Sequence, residues 1–219
     1  ISTRGNMTTV TGNDGNGVIY GCRELIDHVG QYKDLKFPAQ LTDAPEMVLR
    51  GGCVGIQKME YLPGRGVYEY PYTPESFPWF YDKEQWIKYL DMLVENRMNS
   101  LYLWNGHPFA SLVKLEEYPF AVEVDEETFK KNEEMFSFLT AEADKRGIFV
   151  IQMFYNILLS KPFAEHYGLK TQDRNRPITP LISDYTRKSV AAFIEKYPNV
   201  GLLVCLGEAM DTYEDDVEW

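Results

Sequence analysis

The sequence predicts an α/β protein: the first half of a (β/α)8 TIM barrel, preceded by the end of a small α+β domain. Short apolar segments alternate with amphipathic helical patterns from residue 47 to residue 206. Long connections follow the predicted strands and short ones follow the helices, as in barrels of this kind. The last apolar segment leads to Glu208, and the reacting groups of such barrels lie at the carboxyl ends of the strands.

The composition indicates a folded chain, because 44% of its 219 residues are hydrophobic and 14% are aromatic. A formal net charge of -11 without a basic stripe argues against nucleic acid as a partner. No apolar run is as long as a membrane span, and no signal peptide opens the chain. Cys22, Cys53 and Cys205 are widely spaced and odd in number, so we expect buried free thiols and neither a disulfide framework nor a zinc site. No cofactor is expected.

Residues 1–45 are assigned to the end of the small domain and a linker. Residues 1–10 are polar and β-branched and are predicted to form a strand, and a turn-rich segment, 11–17, follows. Leu25, Ile26 and Val29 recur at helical spacing, which predicts an amphipathic helix that ends at Gly30. Residues 36–45 contain two prolines and few apolar residues, and they are assigned to the linker.

Residues 46–219 are assigned to the half barrel, with strands predicted at 47–54, 99–104, 148–154 and 200–206. The last run is uninterrupted and apolar, which predicts burial on both faces. Three helices are expected. The first begins after Asp82 as its N-cap, the second runs through residues 129–143 and ends by Gly147, and the third begins after Ser183-Asp184 as its cap. Four parallel strands leave two unpaired edges, so we expect the barrel to continue beyond this chain.

The segment Gly17-Val18-Ile19-Tyr20-Gly21 lies just before the predicted linker and half barrel. It resembles the end of the small domain that precedes the barrel in the superfamily of glycoside hydrolases that contains the α-glucuronidases and the β-hexosaminidases, and the resemblance is family 67-like. The barrel half resembles α-glucuronidases at Asn99 and Asn105, Ala143-Asp144, Gly147-Ile148, Pro198-Asn199 and the run 201–204 before Glu208. The resemblance implies a glycoside hydrolase in which Glu208 is the general acid. It also implies a carbohydrate partner and a periplasmic or secreted location, and it leaves homo-oligomerisation open.

Two departures from the family pattern bear on the substrate. The chain has Cys205, Leu206 and Gly207 where the family has a lysine and an asparagine before its acid, and the missing lysine argues against recognition of a uronic acid carboxylate. Hexosaminidases end this strand with adjacent Asp and Glu, whereas Gly207 precedes Glu208 here. This argues against substrate-assisted chemistry.

Glycosidic hydrolysis needs a proton donor and a second carboxylate about 5 to 9.5 Å away. For Glu208, the apolar strand end and the flanking Ala209 and Met210 would raise the pKa by desolvation. We expect the second carboxylate beyond the chain, since no spacing argument relates Asp211 to Glu208. The alternative is a structural Glu208 that caps a helix or pairs with Arg50.

Polar residues near the strand ends are candidate ligands for sugar hydroxyls. Asn105, His107 and Asn156 follow the second and third strands, and we assign Arg50 to the end of the first, so all four are expected at one mouth. For His107 a satisfied loop histidine is an equal alternative, and three scattered histidines argue against a metal site. Aromatic residues in and beside the long loop 59–81 are expected either to stack on pyranose rings or to pack in the core: Trp79, Trp104, Phe80, Tyr68, Tyr70 and Tyr72.

The sequence therefore predicts a glycoside hydrolase acting on a plant or host polysaccharide or oligosaccharide, with α-glucuronidase-like specificity implied by the resemblance. Three alternatives stay open at this point, because a fold does not fix a function. They are a non-catalytic carbohydrate-binding barrel, a β-hexosaminidase-like enzyme, and a metal-dependent barrel enzyme in which His107 and acidic residues converge on an ion.

Overall fold

The computed structural model describes residues 1–34, 37, 40–57, 71–205 and 214. The chain begins with an antiparallel hairpin of β1 (Ser2–Arg4) and β2 (Met7–Thr9). The predicted single strand over residues 1–10 is therefore wrong. Gly5 at φ 59° turns the chain back on itself, a conformation that glycine adopts without a steric penalty.

Helix α1 (Gly15–Tyr32) starts earlier and ends later than predicted. Asp14 is its N-cap and accepts a hydrogen bond from the Gly17 amide at 2.7 Å, so the glycine-rich segment opens a helix instead of a loop. Gly30 lies inside the helix. Lys33, at φ 60°, closes it by donating its amide to the Val29 carbonyl at 2.9 Å.

The centre of the molecule is a parallel four-stranded sheet, which confirms the predicted alternation of strands and helices. Its strands are β3 (Gly51–Gly55), β4 (Ser100–Trp104), β5 (Phe149–Tyr155) and β6 (Val200–Cys205). They lie in the order β3-β4-β5-β6, so each strand pairs with the next one along the chain. The first strand begins four residues later than predicted.

Helices connect the strands: α2 (Lys83–Glu95), α4 (Glu126–Lys145) and α6 (Pro180–Lys196). Asp82 caps α2 as predicted, whereas α6 is capped by Thr179 and not by Ser183-Asp184. Pro180, with its fixed φ and missing amide, suits the first turn and moves the start of α6 upstream. The sequence did not predict two short helices in the connections after β4 and β5, α3 (Phe109–Leu112) and α5 (Lys161–His166).

The two faces of the sheet differ. Side chains of Leu101, Leu103, Val150, Phe154 and Val200 belong to one core cluster that also contains residues of α2, α4 and α6. The alternate residues form the opposite face, which we call the open face: Tyr102, Trp104 and Met153 are half-buried there and Phe149 is 45% exposed.

Burial of β6 on both faces was predicted, and this is wrong for the described residues. Leu203 on the open face is 37% exposed, and Val204 is 43% exposed. The reason is the position of β6 at the edge of the described sheet, where no neighbouring strand covers its outer side. No helix within the described ranges has the length and apolarity needed to cross a membrane.

Candidate functional site

The carboxyl edge of the sheet is held together by Asn105, directly after β4. Its side chain is only 1% exposed, and its Nδ2 donates to the Ile56 carbonyl at 2.7 Å. Its Oδ1 accepts the His107 amide at 2.9 Å. Asn105 thus lies at the predicted edge, where it links the end of β3 to the loop after β4.

The end of β5 is tied to the same loop. The Tyr155 amide donates to the Gly106 carbonyl at 3.0 Å, and Asn156 follows as a buried residue, 4% exposed. Asn105 and Asn156 therefore both lie at the carboxyl edge, as the sequence predicted. A role for either in binding sugar stays a prediction.

An aromatic pair lies on the open face at this edge. Trp104, the last residue of β4, meets Tyr155, the last residue of β5, edge to face with ring centroids 5.0 Å apart and an interplanar angle of 75°. Both residues are half-buried, so part of their surface remains accessible. Sequence reasoning found Trp104 and missed Tyr155. The signal was its position two residues beyond Met153, the register partner of Trp104.

His107 lies away from the open face, inside the helix layer. Its side chain is 8% exposed, and Nε2 is 2.9 Å from the hydroxyl oxygen of Tyr185 on α6. Its ring also packs edge to face against Phe109, at 5.6 Å. Burial raises the pKa of Tyr185 to about 12, so its hydroxyl stays protonated. These contacts favour the alternative of a satisfied loop histidine.

No metal centre can be assembled from the residues that the structure describes. They contain no group of three or more His, Cys, Asp or Glu side chains placed to hold an ion. The alternative in which His107 and acidic residues converge on a metal therefore has no support from this part of the chain.

The described aromatic residues next to α2 pack in the core. Trp79 lies in a short 3-10 turn, and its ring is 5.9 Å from that of Trp86 and 6.1 Å from that of Phe77. Tyr72 and Phe80 are fully buried. The structure thus favours the packing alternative for Trp79, Phe80 and Tyr72. Tyr68 and Tyr70 lie outside the described residues.

Arg50 was expected at the same mouth as Asn105 and Asn156, and this expectation is wrong. Strand β3 begins at Gly51, so Arg50 lies just before it, at the amino edge of the sheet. Its guanidinium donates to the carbonyls of Met47 and Arg97, at 2.7 and 3.0 Å. The apolar run 47–49 looked like the start of a strand, but these three residues are exposed.

A cavity of about 880 Å³ opens at this amino edge, between α1 and the sheet. Three of its charged lining residues are paired: Arg97 donates to Glu24, and to Asp43 at 2.9 Å. The Arg50 guanidinium is occupied by backbone carbonyls. We therefore assign the cavity no ligand, and the candidate site remains the carboxyl edge.

Glu208, the predicted general acid, lies outside the described residues, as does Asp211. The last described residue of the strand that leads to it is Cys205, at the same edge as Trp104 and Tyr155. Register pairs Cys205 with Tyr155, so the last described residue of β6 lies beside the aromatic pair.

Comparison with solved structures finds chains that match this one. A solved structure described as a GH138 enzyme targeting pectin rhamnogalacturonan II superposes with a TM-score of 0.95 at 82% sequence identity. The match covers 100% of this chain and 25% of that chain. No family model and no curated protein matches.

This match supports the prediction of a glycoside hydrolase, since the chain is similar over its whole length to part of such an enzyme. It gives no support to membership of the α-glucuronidase and β-hexosaminidase superfamily. The chain spans about a quarter of the length of the solved structure, so it corresponds to one portion of such an enzyme.

Proposed function

We propose that this chain is part of a glycoside hydrolase that acts on a pectic oligosaccharide, bound at the carboxyl edge of the sheet. The reaction class and the substrate follow from the similarity to a GH138 enzyme that targets pectin rhamnogalacturonan II. At 82% identity the backbone of the site is expected to be shared. An α-glucuronidase-like specificity has no such support.

The observation that carries the proposal within this chain is the Trp104 and Tyr155 pair. Its ring centroids are 5.0 Å apart at the ends of adjacent parallel strands, and both residues are half-buried. Partly buried aromatic rings offer a large apolar area with few rotatable bonds, which suits the C–H face of a pyranose ring. Ligands of parallel α/β sheets bind outside the carboxyl ends of the strands, where this pair lies.

The sheet topology supports the larger proposal of a (β/α)8 barrel. Strands β3 to β6 lie side by side in chain order, and α2, α4 and α6 share one core on one face. A doubly wound sheet would reverse its strand order and place helices on both faces. A barrel keeps one direction and packs its inner face with apolar residues, which the open face presents.

We further propose Glu208 as the general acid of this reaction. Register places the end of β6 beside Tyr155, and Glu208 is three residues beyond Cys205, the last described residue of that strand. The proposal is that its carboxyl group reaches a sugar bound on the aromatic pair. A general acid contributes about 10²- to 10⁴-fold when the leaving group needs a proton.

The test compares Glu208→Gln with the unmodified full-length protein on two substrates. On rhamnogalacturonan II oligosaccharides we expect kcat to fall about 100-fold or more, and on an aryl glycoside with an activated leaving group we expect a much smaller loss. Equal losses on both substrates would remove the acid role from Glu208. Binding of the oligosaccharide without any turnover by the unmodified protein would favour the carbohydrate-binding alternative.

A further inference from the structure

Arg176, in the connection between α5 and α6, is a buried cation that the proposed reaction does not yet use. Its side chain is only 8% exposed, although arginine is seldom buried unless its donors are satisfied. Burial lowers the pKa of the guanidinium, and the nearby Asp173 opposes this shift. Because removing this charge from water costs free energy, we expect the buried guanidinium to make contacts that offset the cost.

The guanidinium holds two distant parts of one loop together. Nη1 donates to the Ile157 carbonyl at 2.8 Å, and Nη2 donates to the Lys170 carbonyl. The Leu159 amide donates to the Thr171 carbonyl at 2.9 Å, which closes the loop at a second point. Residues 156–160 are all buried, so this segment is a packed part of the structure.

Ile157 is the second residue after Tyr155, so the hydrogen bond from Arg176 fixes the backbone two residues after the aromatic pair in the sequence. On the other side, the Tyr155 amide is fixed by the Gly106 carbonyl at 3.0 Å. The end of β5 is thus held from both directions, by the loop after β4 and by Arg176.

We propose that Arg176 is a positioning residue for sugar binding, which acts by holding the end of β5 and hence the ring of Tyr155. This inference rests on the proposed function. An arginine suits the role because its planar fork presents several donors in fixed geometry and can bind two carbonyls at once. Lysine would keep the charge, but its ammonium sits on a flexible stem.

The test is a double-mutant cycle in the full-length enzyme, with rhamnogalacturonan II oligosaccharides as substrate. We expect Arg176→Met and Tyr155→Ala each to raise KM about tenfold while kcat changes less than about threefold, because both remove binding that is equal in ground and transition states. If Arg176 acts through Tyr155, adding Arg176→Met to Tyr155→Ala raises KM little further. Arg174→Met, an exposed arginine of the same loop, is the matched control and should leave KM unchanged.

The outcomes separate the two proposals. Additive effects on KM, or an unchanged KM in Arg176→Met, would overturn the positioning role while the proposed function stands. An unchanged KM in Tyr155→Ala would instead contradict the proposed site. Should Arg176→Met fail to fold, Arg176→Lys replaces it in the same cycle. A KM for Arg176→Lys equal to that of the unmodified enzyme would also overturn the proposal.

Discussion

Trp104 and Tyr155 give the carboxyl edge of the sheet an accessible aromatic surface, and the proposed binding mode depends on that surface. We expect Trp104→Ala in the full-length enzyme to weaken binding of rhamnogalacturonan II oligosaccharides about tenfold, a loss of about 1.4 kcal/mol, because a stacking surface is removed. Isothermal titration measures this directly.

Phe149→Ala is the matched control for that change. Phe149 is on the same open face, at the opposite end of β5, and it is 45% exposed. Its substitution should leave the affinity unchanged. Equal losses for the two variants would mean that the open face as a whole, and not its carboxyl edge, determines binding.

A second prediction at the residue scale concerns Asp184. Its carboxylate accepts the Tyr118 hydroxyl at 2.8 Å and pairs with Lys188 at 2.9 Å and with Arg187 at 2.8 Å. The hydrogen bond from Lys188, helped by those from Tyr118 and Arg187, lowers the pKa of Asp184 to about 2. A lowered pKa in the folded state gives stability that is present above the unfolded value of about 3.9 and is lost as pH falls towards 2.

The free energy of unfolding should therefore fall more steeply between about pH 5 and pH 2 in the unmodified chain than in Asp184→Asn. Urea unfolding at several pH values measures both slopes. Parallel slopes would show that the Asp184 contacts add nothing to the pH dependence of stability.

The residues that sequence reasoning placed correctly are those whose position follows directly from a strand end. Trp104 and Asn105 end an apolar run, and their location at the carboxyl edge was predictable. Tyr155 needed the register between β4 and β5, and Arg176 needed the burial of a loop. His107 and Trp79 were expected at the site, but tertiary packing directs them to the helix layer.

The junction between α1 and the end of α4 shows how one element is positioned against another. Gly147 follows α4 at φ 66°, and its carbonyl accepts a hydrogen bond from Asn16 Nδ2 at 2.9 Å. A Cβ at Gly147 would lie 1.7 Å from Asn16 Oδ1, so the asparagine would have to move and lose this bond. Gly168 has nearly the same φ, 65°, and open space around it.

We therefore expect Gly168→Ala to cost about 1 kcal/mol of unfolding free energy from backbone strain alone. Gly147→Ala should cost about 1 kcal/mol more, the usual contribution of one hydrogen bond. Urea unfolding of both variants measures the difference in unfolding free energy. When Asn16 is already replaced by alanine, adding Gly147→Ala should cost no more than Gly168→Ala does. Equal costs for the two glycines would exclude a stabilising role of the Asn16 contact.

Helices were predictable where apolar residues recur at helical spacing and a capping residue marks one end. The pattern of α2 with Asp82, and that of α4 up to Gly147, located both helices, and the four apolar runs located the strands. The hairpin, the start of α6 and the short helices α3 and α5 were not predictable. They depend on a single glycine turn, on Thr179 and Pro180, and on runs of four to six residues that are too short for a helical period.

At the scale of the whole molecule, we propose that the open face packs against further parts of a larger enzyme. Helices cover one face of the sheet, and the other presents Tyr102, Met153 and Leu203 with partial exposure. The matched GH138 structure is about four times as long as this chain, because the match covers 25% of it. Further strands that close a barrel would bury the middle of this face and leave its carboxyl edge, with Trp104 and Tyr155, at the open mouth. Strands β3 and β6 would then pair along the edges that are free within the described sheet.

The most direct measurement is a crystal structure of the full-length protein with a bound rhamnogalacturonan II oligosaccharide. We expect a pyranose ring against Trp104 and Tyr155 at the carboxyl edge, with Glu208 within hydrogen-bonding distance of a glycosidic oxygen, about 2.6 to 3.2 Å. A sugar bound only elsewhere, for example in the cavity beside Arg50 at the amino edge, would contradict the proposed site.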